Sequence, residues 1–200
     1  MKRYWGYLFL AILLSPGTAS AEAIFPISKP YGASAPYAEG VHAGIDYGVG
    51  TGAPVISISN GRVVFMDDTG PDGAAVVVLH GKHFRATYAH LSKVFVEKGQ
   101  WLKRGQLIGL SGVSYNYGRA AYHHLHFGIS KTGPGDTHRY TLSYDPQKFW
   151  LGGEPQCFDP KKDYSAYSQR DITLPLACGE YAEALLAESK GRETGPPAPR

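Results

Sequence analysis

Between residues 52 and 129 the chain runs in short stretches rich in Val, Ile, Tyr and Phe, each closed by glycine, with few helix signals among them. Stretches of this kind read as antiparallel strands. The clearest case is residues 55–59 (VISIS) followed by Asn60-Gly61 and residues 62–65 (RVVF). Asn-Gly tolerates the positive φ of a two-residue turn, so the pattern predicts that these two runs pair as a hairpin. Further strands are expected at 75–79, 83–88, 106–110 and 125–129, with Gly99, Gly105, Gly109 and Gly112 separating the later ones. A short helix is expected at 180–190 and a frayed end at 195–200. The pattern therefore predicts a mainly β fold, an antiparallel sheet or sandwich, with no internal repeat and no second globular domain.

The two ends read differently from the middle. Lys2 and Arg3 precede an apolar run over residues 4–14, Pro16-Gly17 breaks it, and Ala19-Ser20-Ala21 supplies the small residues of a cleavage site. Residues 1–21 therefore read as an export signal, with Ala21-Glu22-Ala23 as a second cleavage frame, and the run falls short of the roughly 20 apolar residues of a membrane span. The expected location is the periplasm or the extracellular space. Removing residues 1–21 takes away Lys2 and Arg3 and no acid, which leaves 18 basic against 17 acidic side chains. That balance gives no reason to expect nucleic acid as a partner. Cys157 and Cys178 lie in the last quarter of an exported chain, where disulfides persist, and are expected to bond to each other. A loop of about twenty residues closed in this way contributes on the order of 3 kcal/mol.

Chemistry concentrates in the histidines. In His124-Leu125-His126-Phe127 a strand sends both imidazoles to one face while Leu125 and Phe127 pack behind it. A second cluster is His42-Ala43-Gly44-Ile45-Asp46. Straight strand would hold its two polar ends about 13 Å apart, too far for one ion, so the chain must bend, and Gly44 makes a bend inexpensive. His90 ends a predicted strand in Thr87-Tyr88-Ala89-His90-Leu91-Ser92. One Asp and two His form a sound zinc set that leaves a fourth position for water, and two further histidines beside it could move a proton and stabilise developing charge.

These three motifs, in this order and approximate spacing, resemble the lysostaphin-like (LytM-type) zinc metallopeptidases. The intervening Gly52-Ala53-Pro54-Val55, Asn60-Gly61-Arg62-Val63-Val64 and the glycine-marked stretch 98–109 look like the same family's strands, and the resemblance covers roughly residues 38–150. It implies a duplicated-hybrid-motif type of fold, an open groove lined by antiparallel strands with one Zn2+ at its floor. It also implies cleavage of peptide cross-links in peptidoglycan. Carried over residue by residue, His42, Asp46 and His126 match the metal ligands, and His90 and His124 the two catalytic histidines. The chain then divides into a signal (1–21), a lead segment (22–37), a metallopeptidase domain (38–150) and a disulfide-tied, partly helical C-terminal extension (151–200), expected to act as a monomer.

One departure from the family pattern falls at Tyr122-His123, where relatives commonly carry glycine and proline. Tyr115, Tyr117 and Tyr122 are candidate substrate contacts there, because a phenol ring offers apolar area and a hydrogen bond. His123 is out of phase with His124 and faces the opposite side. His80, His83 and His138 read as solvated surface, and Asp67, Asp68 and Asp72 as a turn without a calcium-loop spacing. No nucleophile elbow or phosphate-cradling loop occurs. Two other readings stay open: a non-catalytic wall-binding or hydrolase-activating module of the same fold, and a zinc protease of extracellular proteins.

Overall fold

The computed structural model describes residues 25–35, 40–67, 73–114, 122–131 and 142–194. The export signal, Tyr115, Tyr117, His138, Asp68 and Asp72 lie outside the described residues. Among the described residues ten strands form one antiparallel sheet: β1 (Ile27–Lys29), β2 (Ile45–Tyr47), β3 (Pro54–Ile56), β4 (Gly61–Asp67), β5 (Ala74–His80), β6 (Phe84–Val94), β7 (Trp101–Leu102), β8 (Leu107–Ser114), β9 (Tyr122–Lys131) and β10 (Ser143–Tyr144). Their order is β1-β2-β9-β8-β6-β5-β4-β7, with β3 beside β8, β10 beside β9, and β6 also beside β9. Helix α1 (Gly179–Thr194) follows two short 3-10 turns, Pro146–Phe149 and Leu151–Gly153.

Strand alternation builds the core. Leu125, Phe127 and Ile129 of β9 and Ala86 and Tyr88 of β6 are completely buried, with Ile45, Val55, Val76 and Val78 packed against them. The Tyr88 hydroxyl reaches the centre and accepts the Ile58 N–H at 3.1 Å. Burial pushes that phenol's pKa far above its ordinary value.

The expected hairpin is not made. Residues 54–56 pair with β8, while β4 pairs with β5 and β7. Neither Asn60 nor Gly61 takes the positive φ of a two-residue turn. Asn60 instead accepts the Arg104 N–H on its side-chain oxygen at 2.9 Å and the His80 Nδ1–H on its carbonyl at 2.9 Å. Gly61 is required by proximity, since a Cβ there would stand 2.6 Å from His80 Nδ1 and 2.7 Å from Val78. His80, expected on the surface, is 1% exposed, because it ends β5 facing inward over this crossing.

Residues beyond 150 complete the core. Ile172, Leu174 and Leu176 are buried with the sheet residues, Ile56 N–H donates to the Pro175 carbonyl, and Ala177 N–H donates to Pro54. Cys157 and Cys178 are bonded across a separation of 21 residues. Leu185 of α1 packs with Ile56, Leu107 and Ala177 in a second small cluster.

Candidate metal centre

Three neighbouring strands bring the site together. Asp46 of β2 stands directly opposite His126 of β9, and Ala89 of β6 stands opposite His126 on its other side. His42 precedes β2, after a bend held by His42 N–H to the Ala33 carbonyl at 2.8 Å and Gly32 N–H to the His42 carbonyl at 2.9 Å. The bend expected between His42 and Asp46 is present, but the reason for glycine at 44 is proximity. A Cβ there would lie 2.5 Å from the Phe127 carbonyl and 2.8 Å from the His126 ring.

His42, Asp46 and His126 offer one donor atom each, all within 4.8 Å of one another. The Asp46 Oδ1 is 2.9 Å from His42 Nε2 and 2.8 Å from His126 Nδ1, and the two imidazole nitrogens are 3.1 Å apart. His42 is fully buried and Asp46 is 5% exposed, whereas the His126 side chain keeps 14% of its surface open. The His42 Nδ1–H donates to the Pro30 carbonyl at 2.9 Å, which directs the Nε2 lone pair at a carboxylate. Two lone pairs face each other at that distance only with a cation between them, a proton or a metal. Burial alone pushes the Asp46 carboxyl up, but the His126 and His42 imidazoles beside it hold it well below the usual carboxylate range, so it is an anion at neutral pH. A buried set of two imidazole nitrogens and one carboxylate oxygen, with one histidine oriented by a backbone carbonyl, fits the donor chemistry of zinc.

His124 and His90 adjoin this set. The His124 Nε2 is 3.8 Å from Asp46 Oδ1, and its Nδ1–H donates to the Tyr122 carbonyl at 3.0 Å. The rings of His90 and His124 are 4.4 Å apart, and His90 is 5.9 Å from His126. Burial pushes the His124 pKa down against the pull of Asp46, which keeps the imidazole neutral near pH 7. His90 has φ 63, a left-handed backbone uncommon outside glycine. It sits where β6 exchanges partners, with Ala89 paired to β9 and Leu91 to β8. The strain is placed at the residue that must turn its side chain toward the site.

Each described candidate has a definite place. His123 points away from the centre and meets the Thr51 Oγ1 through Nδ1 at 2.8 Å, as alternation requires. Tyr122 is exposed and its ring lies tilted against His124, with centroids 4.5 Å apart. A small pocket beside His126 is lined by Ala43, Thr87, Gly128, Ser130 and Ser143. Two participants carry no sequence signal, the backbone carbonyls of Pro30 and Tyr122. Any residue supplies a carbonyl, and the Pro30 contact spans twelve positions.

Residues 40–137 match the model of Peptidase family M23. The peptidoglycan DD-endopeptidase ShyA of Vibrio cholerae is 41% identical over 92 residues, 46% of this chain and 21% of that protein. The catalytic domain of the antimicrobial peptidase lysostaphin from Staphylococcus simulans superposes with TM-score 0.54 at 28% identity, over 64% of this chain and 92% of that one. A zinc-containing peptidase from Vibrio cholerae superposes with TM-score 0.50 at 29% identity, over 61% of this chain and 36% of that one. The chain thus spans about a fifth of the length of the curated relatives it matches. Family match, sheet and clustered His and Asp side chains agree: the chain carries a domain of peptidase family M23.

Proposed function

We propose that the chain is an exported zinc metalloendopeptidase that hydrolyses peptide cross-links of bacterial peptidoglycan, with residues 38–150 as its catalytic unit. The observation that carries this reading is the convergence of His42, Asp46 and His126 with a neutral His124 and a half-buried His90 at their side. His42 Nε2, an Asp46 oxygen and His126 Nδ1 would hold one Zn2+. Bound there, zinc would supply Lewis acidity toward the scissile carbonyl and toward a water molecule.

The remaining work falls to side chains. His124 keeps its Nδ1–H on the Tyr122 carbonyl, so its Nε2 lone pair is the one available to take a proton from the attacking water. That proton is then returned to the amine nitrogen as the C–N bond breaks. His90, on the other side of His124, stabilises the oxyanion formed from the carbonyl. The small pocket beside His126, lined by Ala43, Gly128 and Ser130, would suit a small side chain of the substrate. Peptidoglycan as substrate is supported by the name of the relative ShyA and by the resemblance to lysostaphin. Among the described residues no helix is long and apolar enough to cross a membrane. The protein acts as a monomer in the periplasm or outside the cell.

The test is mass spectrometry of fragments released from purified peptidoglycan of several wall types by the zinc-loaded chain. Release of cross-link-cleaved muropeptides that stops with a chelator and resumes with zinc is the expected result. A folded chain that takes up no zinc and releases no fragment would replace this reading with that of a wall-binding or hydrolase-activating module.

A further inference from the structure

Tyr122 opens β9 two residues before His124, so the two side chains share one face of the strand. Two contacts join them. Their rings lie 4.5 Å apart with 33° between planes, and the His124 Nδ1–H donates to the Tyr122 carbonyl at 3.0 Å. The start of the strand is fixed from its other face by the 2.8 Å contact between His123 Nδ1 and Thr51 Oγ1, and laterally by the pairing of Tyr122 with Ser114 of β8. His90 is the other ring neighbour of His124, at 4.4 Å. Tyr122 itself is 39% exposed, so its ring can be changed without opening the core.

We infer that Tyr122 is a positioning residue for His124. Its carbonyl fixes the tautomer, and its ring keeps the imidazole from swinging out of the site, so that Nε2 stays turned toward Asp46 at 3.8 Å. An imidazole that takes and returns a proton must hold one orientation through both steps, and loss of that orientation lowers turnover more than binding. This inference rests on the proposed role of His124 in hydrolysis. A ring that instead contacted the substrate would change KM.

The experiment compares the zinc-loaded full chain with its Tyr122→Phe and Tyr122→Ala variants on a soluble cross-linked muropeptide dimer. Tyr122→Ala is expected to lower kcat on the order of tenfold with KM within about twofold, and Tyr122→Phe, which keeps the ring, to restore kcat. A raised KM at unchanged kcat, or a Phe variant as impaired as the Ala variant, overturns the inference. Side-chain NMR of the same proteins gives an arm independent of activity. The His124 Nδ1–H should exchange slowly and the ring protons should carry the tyrosine ring-current shift in the wild type and in Tyr122→Phe. Both signs should be lost in Tyr122→Ala. If the wild type cleaves no muropeptide, the hydrolase reading fails while the NMR arm still decides the positioning. An imidazole as ordered in Tyr122→Ala as in the wild type refutes it.

Discussion

Asp46 and His126 stand opposite each other in the β2–β9 register, with Oδ1 and Nδ1 2.8 Å apart. One oxygen of a buried carboxylate thereby meets imidazoles from two segments, and removing either imidazole dismantles the donor set. His126→Ala is expected to lower zinc affinity by more than the ~10–100-fold typical of an outer-shell partner. His124→Ala should keep zinc bound and abolish hydrolysis. Chelator competition on both variants checks the division, and equal zinc loss in the two would reverse it.

Gly44 marks the closest approach of the segment before β2 to β9. Gly44→Ala places a methyl 2.5 Å from the Phe127 carbonyl and against the His126 ring, so the strands must part. Overpacking of this kind costs about 1–3 kcal/mol, and zinc affinity should fall with stability. Gly50→Ala, where a Cβ meets nothing within 4 Å, serves as the control and should leave both unchanged. Thermal melts and zinc titrations of the two variants decide.

His90 holds φ 63. Asparagine tolerates that backbone and valine does not. His90→Asn is expected to melt within a few degrees of the wild type yet lose hydrolysis, whereas His90→Val should lose about 1–2 kcal/mol as well. If both variants melt alike, the strain assigned to this position is absent.

His80 carries the clearest pH dependence of stability. Burial pushes its pKa down from 6.5 to about 4, with its Nδ1–H on the Asn60 carbonyl, its Nε2 without a hydrogen-bond partner and the nearby Arg104 charge opposing a second cation. The folded value lies below the unfolded one, so between these limits the unfolded chain binds more protons. Its contribution is complete above pH 6.5 and is lost as pH falls toward 4. The slope is bounded at ~1.4 kcal/mol per pH unit for one proton. Denaturant titrations from pH 7 to 4 should show the loss, and His80→Gln should flatten the part due to this side chain.

The Cys157–Cys178 bond closes a loop with a sequence separation of 21. Replacing both cysteines by serine is expected to cost about 3 kcal/mol. Zinc content should be unchanged, since neither sulfur belongs to the donor set. Denaturant unfolding and metal analysis of the double variant measure both.

What the sequence displayed was periodicity and residue type. Period-two alternation put His124 and His126 on one face with Leu125 and Phe127 behind them, and the sheet realises that arrangement. Strands at 75–79, 83–88 and 125–129 were legible for the same reason, as was the helix near 180–190. Partner choice was not. Asn60-Gly61 carries a strong hairpin signal, but the crossing of His80 and Arg104 over it required those residues for close approach and hydrogen bonding. The burial of His80 follows from the same crossing, which lies far apart along the chain. Burial of Ile172, Leu174 and Leu176 against the sheet was equally hidden, because an isolated apolar alternation does not reveal which edge it covers.

That last segment bears on when the protein becomes whole. One edge of β3 is taken by β8 and the other by Pro175 and Ala177, with Leu176 bridged to Val55. A chain emerging in order, from its N-terminus, carries every candidate zinc-binding side chain long before it carries the residues that seal β3. Until residues 174–177 are in place, that edge of β3 is unpaired and Val55 and Ile56 lack their cover, so a chain cut short before them would keep the candidate ligands and lose the seam. The Cys157–Cys178 bond ties down the segment one residue past Ala177, so it fastens that seam at its end.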